Sequence, residues 1–379
     1  MAGRFILAKV RSYFKKDSSH CRKLSINVLY HSVSNDLNSI GRILILFSLT
    51  MLLFACHGQS SSGEKESQLS IPTNQEPKEQ ISQVVRMMFR DSRGTFWFGT
   101  ENGAFGLWGD SLIHMDDIQG ERGNGVTIKD IVEDNQGNIW FGHTDGVSRL
   151  QGDSVVNYYE SDGLIHNDVW CLEADADGNI WIGTFAGACV FDGEEFGKFD
   201  LPEGKIDSTL GISSTTMIHD IYEDVEGQIW FCTNAGLFSY SNGELNDVSS
   251  HIGIETNFVN EVFEDSRGEI WVSTKDGLYH IQNNLAVNIT KGKLELGKGI
   301  GSVAEDKSGT KWFVSNQHYL YTCDGNELLE FEKTEENQGP VIFQIFKDRM
   351  NRMWFVGFGG AFRMENGEFV NITKEGPWN

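Results

Sequence analysis

Tryptophan recurs at a nearly constant interval through most of this 379-residue chain. The intervals are 43, 41, 49, 41, 41 and 42 residues, and each tryptophan lies in one short phrase, written DNQGNIWFG at residues 134–142. A period near 42 residues is about the length of one four-stranded blade of a β-propeller. The sequence therefore predicts an all-β fold, a seven-bladed β-propeller of four-stranded antiparallel blades. The repeated residues are Trp97, Trp140, Trp181, Trp230, Trp271, Trp312 and Trp354.

Each repeat unit contains the signals for four short strands joined by hairpins. An apolar, β-branched run such as residues 128–132 comes first and favours a strand over a helix. The phrase Asp-x-x-Gly follows, in which we expect the aspartate to accept backbone N–H groups of the turn and the glycine to adopt positive φ. In the seventh unit Asn351 replaces that glycine, and asparagine tolerates positive φ next best.

The repeated tryptophans are interpreted as core residues. A single blade cannot bury both of its faces, so each indole is predicted to pack against the neighbouring blade. Burying about 200 Å² of indole at about 25 cal/mol per Å² contributes at most about 5 kcal/mol per blade. We therefore do not interpret the tryptophans as a stacking surface for a ligand.

An acidic pair precedes the turn in several units. The pair Glu-Asp stands at residues 133–134, 223–224 and 264–265, whereas unit three has Ala174 in place of the glutamate. With this pair, the phrase from the first strand to the third resembles the two-component regulator propeller repeat. Units two to five match it closely, and units six and seven depart further.

The resemblance covers residues 82–375 and implies a function as well as a fold. In that family the repeats form periplasmic sensor propellers of Bacteroidetes hybrid two-component systems. The resemblance thus implies a sensory or scaffold module that binds a ligand or a protein. Because the chain carries no segment of a kinase or receiver domain, we expect a stand-alone module.

The amino-terminal part predicts export. Residues 1–55 are expected to be a signal-peptide region, with a start further along than residue 1, because the apolar run at residues 43–55 has the length of a signal-peptide core. Residues 53–56 (LFAC) resemble a bacterial lipobox, which implies a lipid on Cys56 and a membrane-anchored lipoprotein on the periplasmic side or the cell surface. The alternatives are a plain secretory signal and a weak membrane anchor.

The remaining chain divides into three parts. A stretch rich in Ser, Gly, Gln and Glu predicts a flexible tether, and the repeats then form one large domain. The boundaries are residues 56–80 for the tether, residues 81–375 for the propeller and residues 376–379 for a tail.

The acidic composition limits the partners. The chain contains 31 Lys and Arg against 54 Asp and Glu, a formal net charge of −23. Such a charge argues against binding nucleic acid through its phosphates and suits a protein that attracts cations or basic partners. We expect no cofactor. The partner is expected to be a small molecule or oligosaccharide, or a protein such as a membrane sensor.

Positions that vary between the repeats indicate where a site could lie. Counting back from the turn aspartate, the sixth residue is always aliphatic, whereas the fifth and fourth residues vary. These residues belong to the first strand of each blade, which lies nearest the propeller axis. They could bind a polar ligand, and the competing interpretation is a water-filled tunnel. The candidate ligand-binding residues are Lys129, Asp130, Trp170, His219, Asp220, Asn260, Glu261 and Phe343.

Catalysis is the second hypothesis. No G-x-S-x-G, H-E-x-x-H or P-loop phrase occurs, so no catalytic residue is assigned. His219 with Asp220 and Glu261 could form an acid–base or metal cluster, but no metal site is predicted. A lyase or a glycoside hydrolase that uses the axial ring therefore stays open. A hydrolase requires two carboxyl groups about 5–10 Å apart across the pocket.

Three structural questions also stay open. Cysteines in or beside strands are expected to be buried free thiols, with a Cys171–Cys189 bridge as the alternative. The ring could close by a blade shared between residues 81–85 and 369–373, or by side-chain packing alone. The surplus before the fourth repeat, residues 201–216, could carry function or be simple drift. The four cysteines are Cys171, Cys189, Cys232 and Cys323.

Overall fold

The computed structural model describes residues 77–374 apart from residues 210, 295–298, 326 and 334–337. The predicted signal region, Cys56, most of the tether and the tail lie outside the described residues. Within the described part, no helix has both the length and the apolar character needed to cross a bilayer.

Seven sheets of four antiparallel strands follow one another along the chain, and we number them blades 1 to 7. Blade 1 contains β1 (Val85–Arg90), β2 (Phe96–Thr100), β3 (Gly103–Trp108) and β4 (Ser111–His114). Blade 2 contains β5 (Ile128–Glu133), β6 (Ile139–His143), β7 (Gly146–Gln151) and β8 (Ser154–Tyr158). Blade 3 contains β9 (Val169–Ala174), β10 (Ile180–Thr184), β11 (Gly187–Phe191) and β12 (Phe196–Phe199). Blade 4 contains β13 (Ile218–Glu223), β14 (Ile229–Thr233), β15 (Gly236–Ser241) and β16 (Glu244–Asp247).

The last three blades repeat the same plan. Blade 5 contains β17 (Val259–Glu264), β18 (Ile270–Thr274), β19 (Leu278–Gln282) and β20 (Leu285–Asn288). Blade 6 contains β21 (Ile300–Glu305), β22 (Lys311–Ser315), β23 (Tyr319–Cys323) and β24 (Leu328–Glu330). Blade 7 contains β25 (Val341–Lys347), β26 (Met353–Phe358), β27 (Gly360–Glu365) and β28 (Glu368–Asn371). The described helices are a 3₁₀ helix, Glu160–Asp162, and α1, Ser249–Ile252.

Strands within each blade are paired in chain order, so a hairpin joins each strand to the next. The first turn has the predicted backbone: Gly137 has φ 82° in blade 2, and Asn351 has φ 60° at the equivalent position of blade 7. The prediction of a seven-bladed propeller with four-stranded antiparallel blades is confirmed.

The turn aspartate binds the repeated tryptophan in every blade. One carboxylate oxygen accepts a hydrogen bond from the indole N–H six residues later, at 2.8–3.2 Å. The other oxygen accepts the backbone N–H four residues later, as from Thr95 to Asp91 at 2.8 Å. The sequence analysis predicted the backbone bond and missed the indole. The pairs are Asp91–Trp97, Asp134–Trp140, Asp175–Trp181, Asp224–Trp230, Asp265–Trp271, Asp306–Trp312 and Asp348–Trp354.

The indoles fill the space between neighbouring blades, as predicted. Trp97 of blade 1 meets Phe141 of blade 2 edge to face, with ring centres 5.5 Å apart. Trp181 of blade 3 meets Phe231 of blade 4 in the same way, at 5.5 Å. Seven clusters of buried apolar side chains lie at these contacts, so each core belongs to two blades.

A glutamate before the turn aspartate joins four of the blades to the preceding blade. In four blades its carboxylate accepts the backbone N–H that follows the turn aspartate of the preceding blade. The two residues of the Glu-Asp pair therefore make different contacts: Asp binds the tryptophan of its own blade, and Glu binds the backbone of the neighbouring blade. The bonds run from Ser92 to Glu133 at 2.6 Å, Ala176 to Glu223 at 2.8 Å, Val225 to Glu264 at 3.0 Å and Ser266 to Glu305 at 3.0 Å.

Blade 6 departs from the repeat by burying a lysine. Lys311 precedes the tryptophan where blades 2 to 5 have isoleucine. Its ammonium group lies 2.7 Å from Asp265 and 3.0 Å from Glu305, and both carboxylates are buried. Because each charge is paired, the substitution is compatible with the core.

Residues 78–84, which we call the closure strap, connect the first and last blades. Lys78 N–H donates to Leu112 O of β4 at 2.7 Å, and Ile81 N–H donates to Thr373 O at 3.1 Å. Gly359 N–H donates to the carbonyl of Gln83 at 2.8 Å. The strap adds no fifth strand to either sheet, and apolar side chains of blades 1 and 7 form one core cluster beneath it. Ring closure thus combines backbone hydrogen bonds with side-chain packing.

Replacing the turn aspartate by asparagine should destabilise the fold. In Asp175→Asn one oxygen can still accept the turn N–H, but the amide N–H₂ would face the indole N–H of Trp181, now 2.8 Å from a carboxylate oxygen. Leaving this buried donor unpaired should lower the free energy of unfolding by about 1–3 kcal/mol. Chemical denaturation measures the change.

The matched control is Asp177→Asn, in the same turn. Asp177 is exposed, so its substitution should change the free energy of unfolding by less than about 0.5 kcal/mol. Equal losses in the two variants would contradict the role given to the Asp–Trp bond.

Candidate functional site

The seven first strands surround a cavity of about 520 Å³ at the propeller axis. All eight candidate residues line this cavity, so the structure brings the predicted set together. The eight candidate residues belong to two rings of positions on the first strands. The upper ring, five residues before each turn aspartate, contains Arg86, Lys129, Trp170, His219, Asn260, Gly301 and Phe343. The lower ring, four residues before it, contains Met87, Asp130, Cys171, Asp220, Glu261, Ser302 and Gln344.

Lys129 and Trp170 form one unit of the upper ring through a shared carboxylate. Lys129 forms an ion pair with Asp168, and its ammonium nitrogen lies 3.6 Å from the centre of the Trp170 ring. Asp168 also accepts the Trp170 indole N–H at 3.0 Å. Burial lowers the pKa of Lys129; the ion pair opposes this shift, and the charge of Arg86 adds to it. Trp170 remains 37% exposed, an uncommon position for such a large apolar ring.

Arg86 and Phe343 form a second unit, contributed by blades 1 and 7. The guanidinium carbon of Arg86 lies 4.7 Å from the centre of the Phe343 ring. Phe343 in turn contacts Phe358, with ring centres 4.9 Å apart, and Phe358 is 48% exposed. The mouth of the cavity therefore has aromatic rings on two sides, each next to a cation.

His219 forms a third unit and is neutral at pH 7. Burial lowers its pKa to about 4, against the opposing effect of the hydrogen bond with Asn234. His219 Nε2 lies 2.7 Å from Asn234 Oδ1, so this nitrogen carries the proton. The imidazole stacks on Phe258 at 4.4 Å, and the Lys275 ammonium lies 4.9 Å from the same phenyl ring.

The surplus loop before blade 4 lies behind His219. Asn234 donates a side-chain hydrogen bond to Ser214 O at 2.7 Å, which attaches the loop to the residue that holds the imidazole. Gly204 packs so closely that an added Cβ would lie 2.2 Å from Asn234 O. The loop therefore supports one wall of the mouth, while a functional role for it stays a prediction.

The lower ring joins successive blades around the axis. In five blades a lower-ring side chain accepts the backbone N–H of a residue in the next first strand. Three of the candidate residues, the carboxylates of Asp130, Asp220 and Glu261, thus have a structural role that the sequence analysis missed. The bonds run from Leu172 to Asp130 at 2.7 Å, Val262 to Asp220 at 3.0 Å, Val303 to Glu261 at 3.4 Å, Ile345 to Ser302 at 3.1 Å and Met88 to Gln344 at 2.7 Å. Asn260 of the upper ring also contacts the next blade, by donating to Ile300 O.

Carboxyl groups in the cavity hold their protons unusually strongly. Burial raises the pKa of Asp130 to about 6 and that of Asp220 to about 7. Burial also raises the pKa of Glu173, which stands two residues before the turn aspartate of blade 3, to about 8. Burial raises the pKa of Glu261 well above its ordinary value. Mutual repulsion adds to the shifts of Asp220, Glu173 and Glu261. At neutral pH the lower part of the cavity therefore contains both protonated and ionised carboxyl groups.

Metal and disulfide chemistry were also considered in the sequence analysis. Among the described residues, no group of three or more His, Cys, Asp or Glu side chains is arranged to hold a metal ion. The four cysteines of the blades are buried free thiols, as expected, so the alternative Cys171–Cys189 bridge is wrong.

Three residues of the mouth were absent from the predicted set. Arg86 stands five residues before its turn aspartate, the same variable position of the repeat as Lys129 and Trp170. Asp168 and Phe258 stand seven residues before the turn aspartate, a third column that also varies between repeats. Reading that column would have identified both of them.

A ring of seven four-stranded blades around a polar axial cavity defines a seven-bladed β-propeller. The profile of the family described as Two component regulator propeller matches residues 79–102, 120–145 and 163–186, which contain the first three repeated tryptophans. Three segments of the chain thus match two-component regulator propeller repeats, and the resemblance found in the sequence is confirmed.

Solved structures share this fold at low identity. The extracellular domain of a putative one-component system from B. thetaiotaomicron has 22% identity and a TM-score of 0.60, with 77% of this chain and 40% of that chain covered. The extracellular domain of a putative hybrid two-component system from the same organism has 17% identity and a TM-score of 0.58, with 77% and 47% covered. Virginiamycin B lyase from Staphylococcus aureus has 12% identity and a TM-score of 0.57, with 76% and 96% covered.

These likenesses show the fold alone, because all the identities are low. The chain spans less than half the length of the two extracellular domains. No curated protein sequence matches it.

The protonated carboxyl groups predict a loss of stability on the alkaline side. An acid whose pKa is raised by folding stabilises the folded state less as the pH rises from the unfolded pKa towards the folded one. The lowered pKa values of His219 and His143 act in the opposite sense below about pH 6.5. We therefore expect the unfolding temperature to fall between about pH 6.5 and about pH 8, where Asp220 and Glu173 ionise.

Glu173→Gln should flatten this decline. The amide oxygen can still accept the Glu223 N–H, now 3.0 Å from the carboxylate, but the side chain does not ionise. The exposed Glu226→Gln is the matched control and should keep the wild-type pH profile. Thermal melts across this pH range make the comparison, and equal slopes in Glu173→Gln and wild type would contradict the assignment.

Proposed function

We propose that this protein is an exported, membrane-tethered binding module with a sensory role. Its ligand is a small ring-bearing molecule, with an oligosaccharide as the leading class, and it binds at the mouth of the axial cavity. The module passes the signal to a membrane sensor through a protein contact. The confirmed family repeats and the extracellular domains of similar fold support this placement.

The observation that most directly supports ligand binding is the partly exposed Trp170 at the rim of a cavity of about 520 Å³. A cavity of this size suits a small ligand, and ligand sites combine aromatic walls with a few convergent polar groups. Asp168 holds the indole edge by a hydrogen bond, which fixes the ring before a ligand arrives. The lining also comes from the columns that vary between repeats, whereas the frame around them is repeated.

Binding should depend on Trp170. A panel of oligosaccharides is screened by thermal shift, in which a ligand at a hundred times its Kd adds about 2.7 kcal/mol of stability. Trp170→Ala should weaken binding of a hit about tenfold or more, because the indole is expected to be the main apolar contact. Isothermal titration measures the affinities.

Tyr319→Ala is the matched control, because Tyr319 is also an exposed aromatic residue but lies outside the cavity. It should bind the hit as wild type does. The proposed site is wrong if Trp170→Ala also keeps full affinity while both variants remain folded.

Membrane tethering should depend on Cys56, which lies outside the described residues. Cys56→Ser should move the protein from the membrane fraction to the soluble fraction and abolish incorporation of labelled fatty acid. The reason is that a lipobox attaches its lipid to a cysteine thiol, which serine lacks. Cys21→Ser serves as the control and should leave both readouts unchanged. Retention of the label in Cys56→Ser would reject the lipoprotein proposal and leave a plain secretory signal or a weak anchor.

One observation favours an enzyme as the second candidate. Glu173 and Asp220, with pKa values raised to about 8 and about 7, share the cavity and could donate or accept a proton near neutral pH. A lyase or glycoside hydrolase would release new products from a bound oligosaccharide. Product formation that is lost in Asp220→Asn and kept in Glu226→Gln would favour this candidate over pure binding.

A further inference from the structure

Positive charge is concentrated at the mouth of the axial cavity, although the chain as a whole is strongly acidic. The upper ring contains two cations, Arg86 and Lys129, and no carboxylate, in a chain of formal net charge −23. The lower ring has the reverse composition, with three carboxyl groups and no cation. Basic and acidic groups are therefore layered along the axis.

Of the two cations, Lys129 has a carboxylate partner in the described part of the chain, namely Asp168. Asp168 forms an ion pair with Lys129 and accepts the Trp170 indole N–H as well. Arg86 is exposed and lies over the ring of Phe343, and within the described residues no carboxylate pairs with its guanidinium group. One positive charge at the mouth thus has no counter-ion among the residues that the structure describes.

Arg86 and Lys129 also repel each other. They occupy equivalent positions on β1 and β5, the first strands of neighbouring blades, and the charge of Arg86 lowers the pKa of Lys129. Two like charges held side by side at the opening of a cavity attract an anion, because it relieves their repulsion. A guanidinium group is well suited to this task, since it offers parallel N–H donors to the oxygens of a carboxylate or sulfate.

We propose that the ligand carries an anionic group, a carboxylate or a sulfate, which binds between Arg86 and Lys129 while the ligand's ring packs against Trp170. This inference rests on the proposed function and names the class of its ligand. Below the mouth, the carboxyl groups of the lower ring exchange hydrogen bonds with hydroxyl groups of the same ligand. The layered charge then matches a molecule with one acidic end and one hydroxyl-bearing end.

The first test uses inorganic sulfate as the probe and needs no knowledge of the natural ligand. Unfolding temperatures are measured in sulfate and in chloride at equal ionic strength. Sulfate should protect wild type more than Arg86→Gln, because the variant lacks the unpaired guanidinium group. The general stabilising effect of sulfate is common to both proteins and cancels in the comparison.

Arg349→Gln is the matched control for this test. Arg349 is an exposed arginine at the other end of β25, where it donates to Ser92 O at 3.1 Å. It should keep the full sulfate effect of wild type. Equal sulfate protection in wild type and Arg86→Gln would overturn the anion site.

The second test compares trigalacturonate with its fully methyl-esterified counterpart, which differ in charge and little else. The acid should bind wild type about tenfold more tightly or better, and Arg86→Gln should remove most of that preference. Equal affinity for acid and ester, with both lost in Trp170→Ala, would overturn the anionic group while the proposed binding function stands. Sulfate protection that depends on Arg86, with no saccharide bound at all, would support the anion site and reject the saccharide-binding function.

Discussion

The hydrogen bond between the turn aspartate and the tryptophan indole is the contact on which the rest of the structure depends. A carboxylate has two oxygens, and here one fixes the backbone of the first turn while the other fixes the ring that fills the gap to the next blade. Local chain geometry and packing between blades are thus set by one side chain. This explains why the spacing of six residues between Asp and Trp never varies, although the distance between repeats changes by several residues.

Polar bonds between blades are added to this apolar frame in two tiers. Glutamates before the turn aspartates join blades near one end of the first strands, and the lower ring joins them at the axis. The lower ring therefore has two functions that compete: the same carboxyl groups that line the cavity also hold its walls. A substitution there would change the stability of the fold as well as the proposed binding, so the upper ring is the clearer place to separate the two.

The sequence predicted the fold, the burial of the tryptophans and the residues that meet at the axis. All three follow from the period of the repeat and from comparing equivalent positions of the seven units. It did not predict partners across blades, since Asp130 and Leu172 are brought together by the ring and not by spacing. The column that holds Asp168 and Phe258 was overlooked because it lies before the aliphatic start of each strand. Raised pKa values such as that of Glu173 were also out of reach, because burial of a carboxyl group is a property of the assembled cavity.

The closure strap has a mechanical consequence. Residues that enter the ring at Gln80 lie opposite Lys374, so the two ends of the described fold are side by side. A pull on the amino-terminal end of the described fold would act first on the few backbone hydrogen bonds between the strap and blades 1 and 7, whereas the sheets themselves would carry little of the load. The seam also contributes Arg86 and Phe343 to the cavity mouth, from its two sides. Tension at the amino-terminal end of the strap would therefore reach the mouth before any blade unfolds.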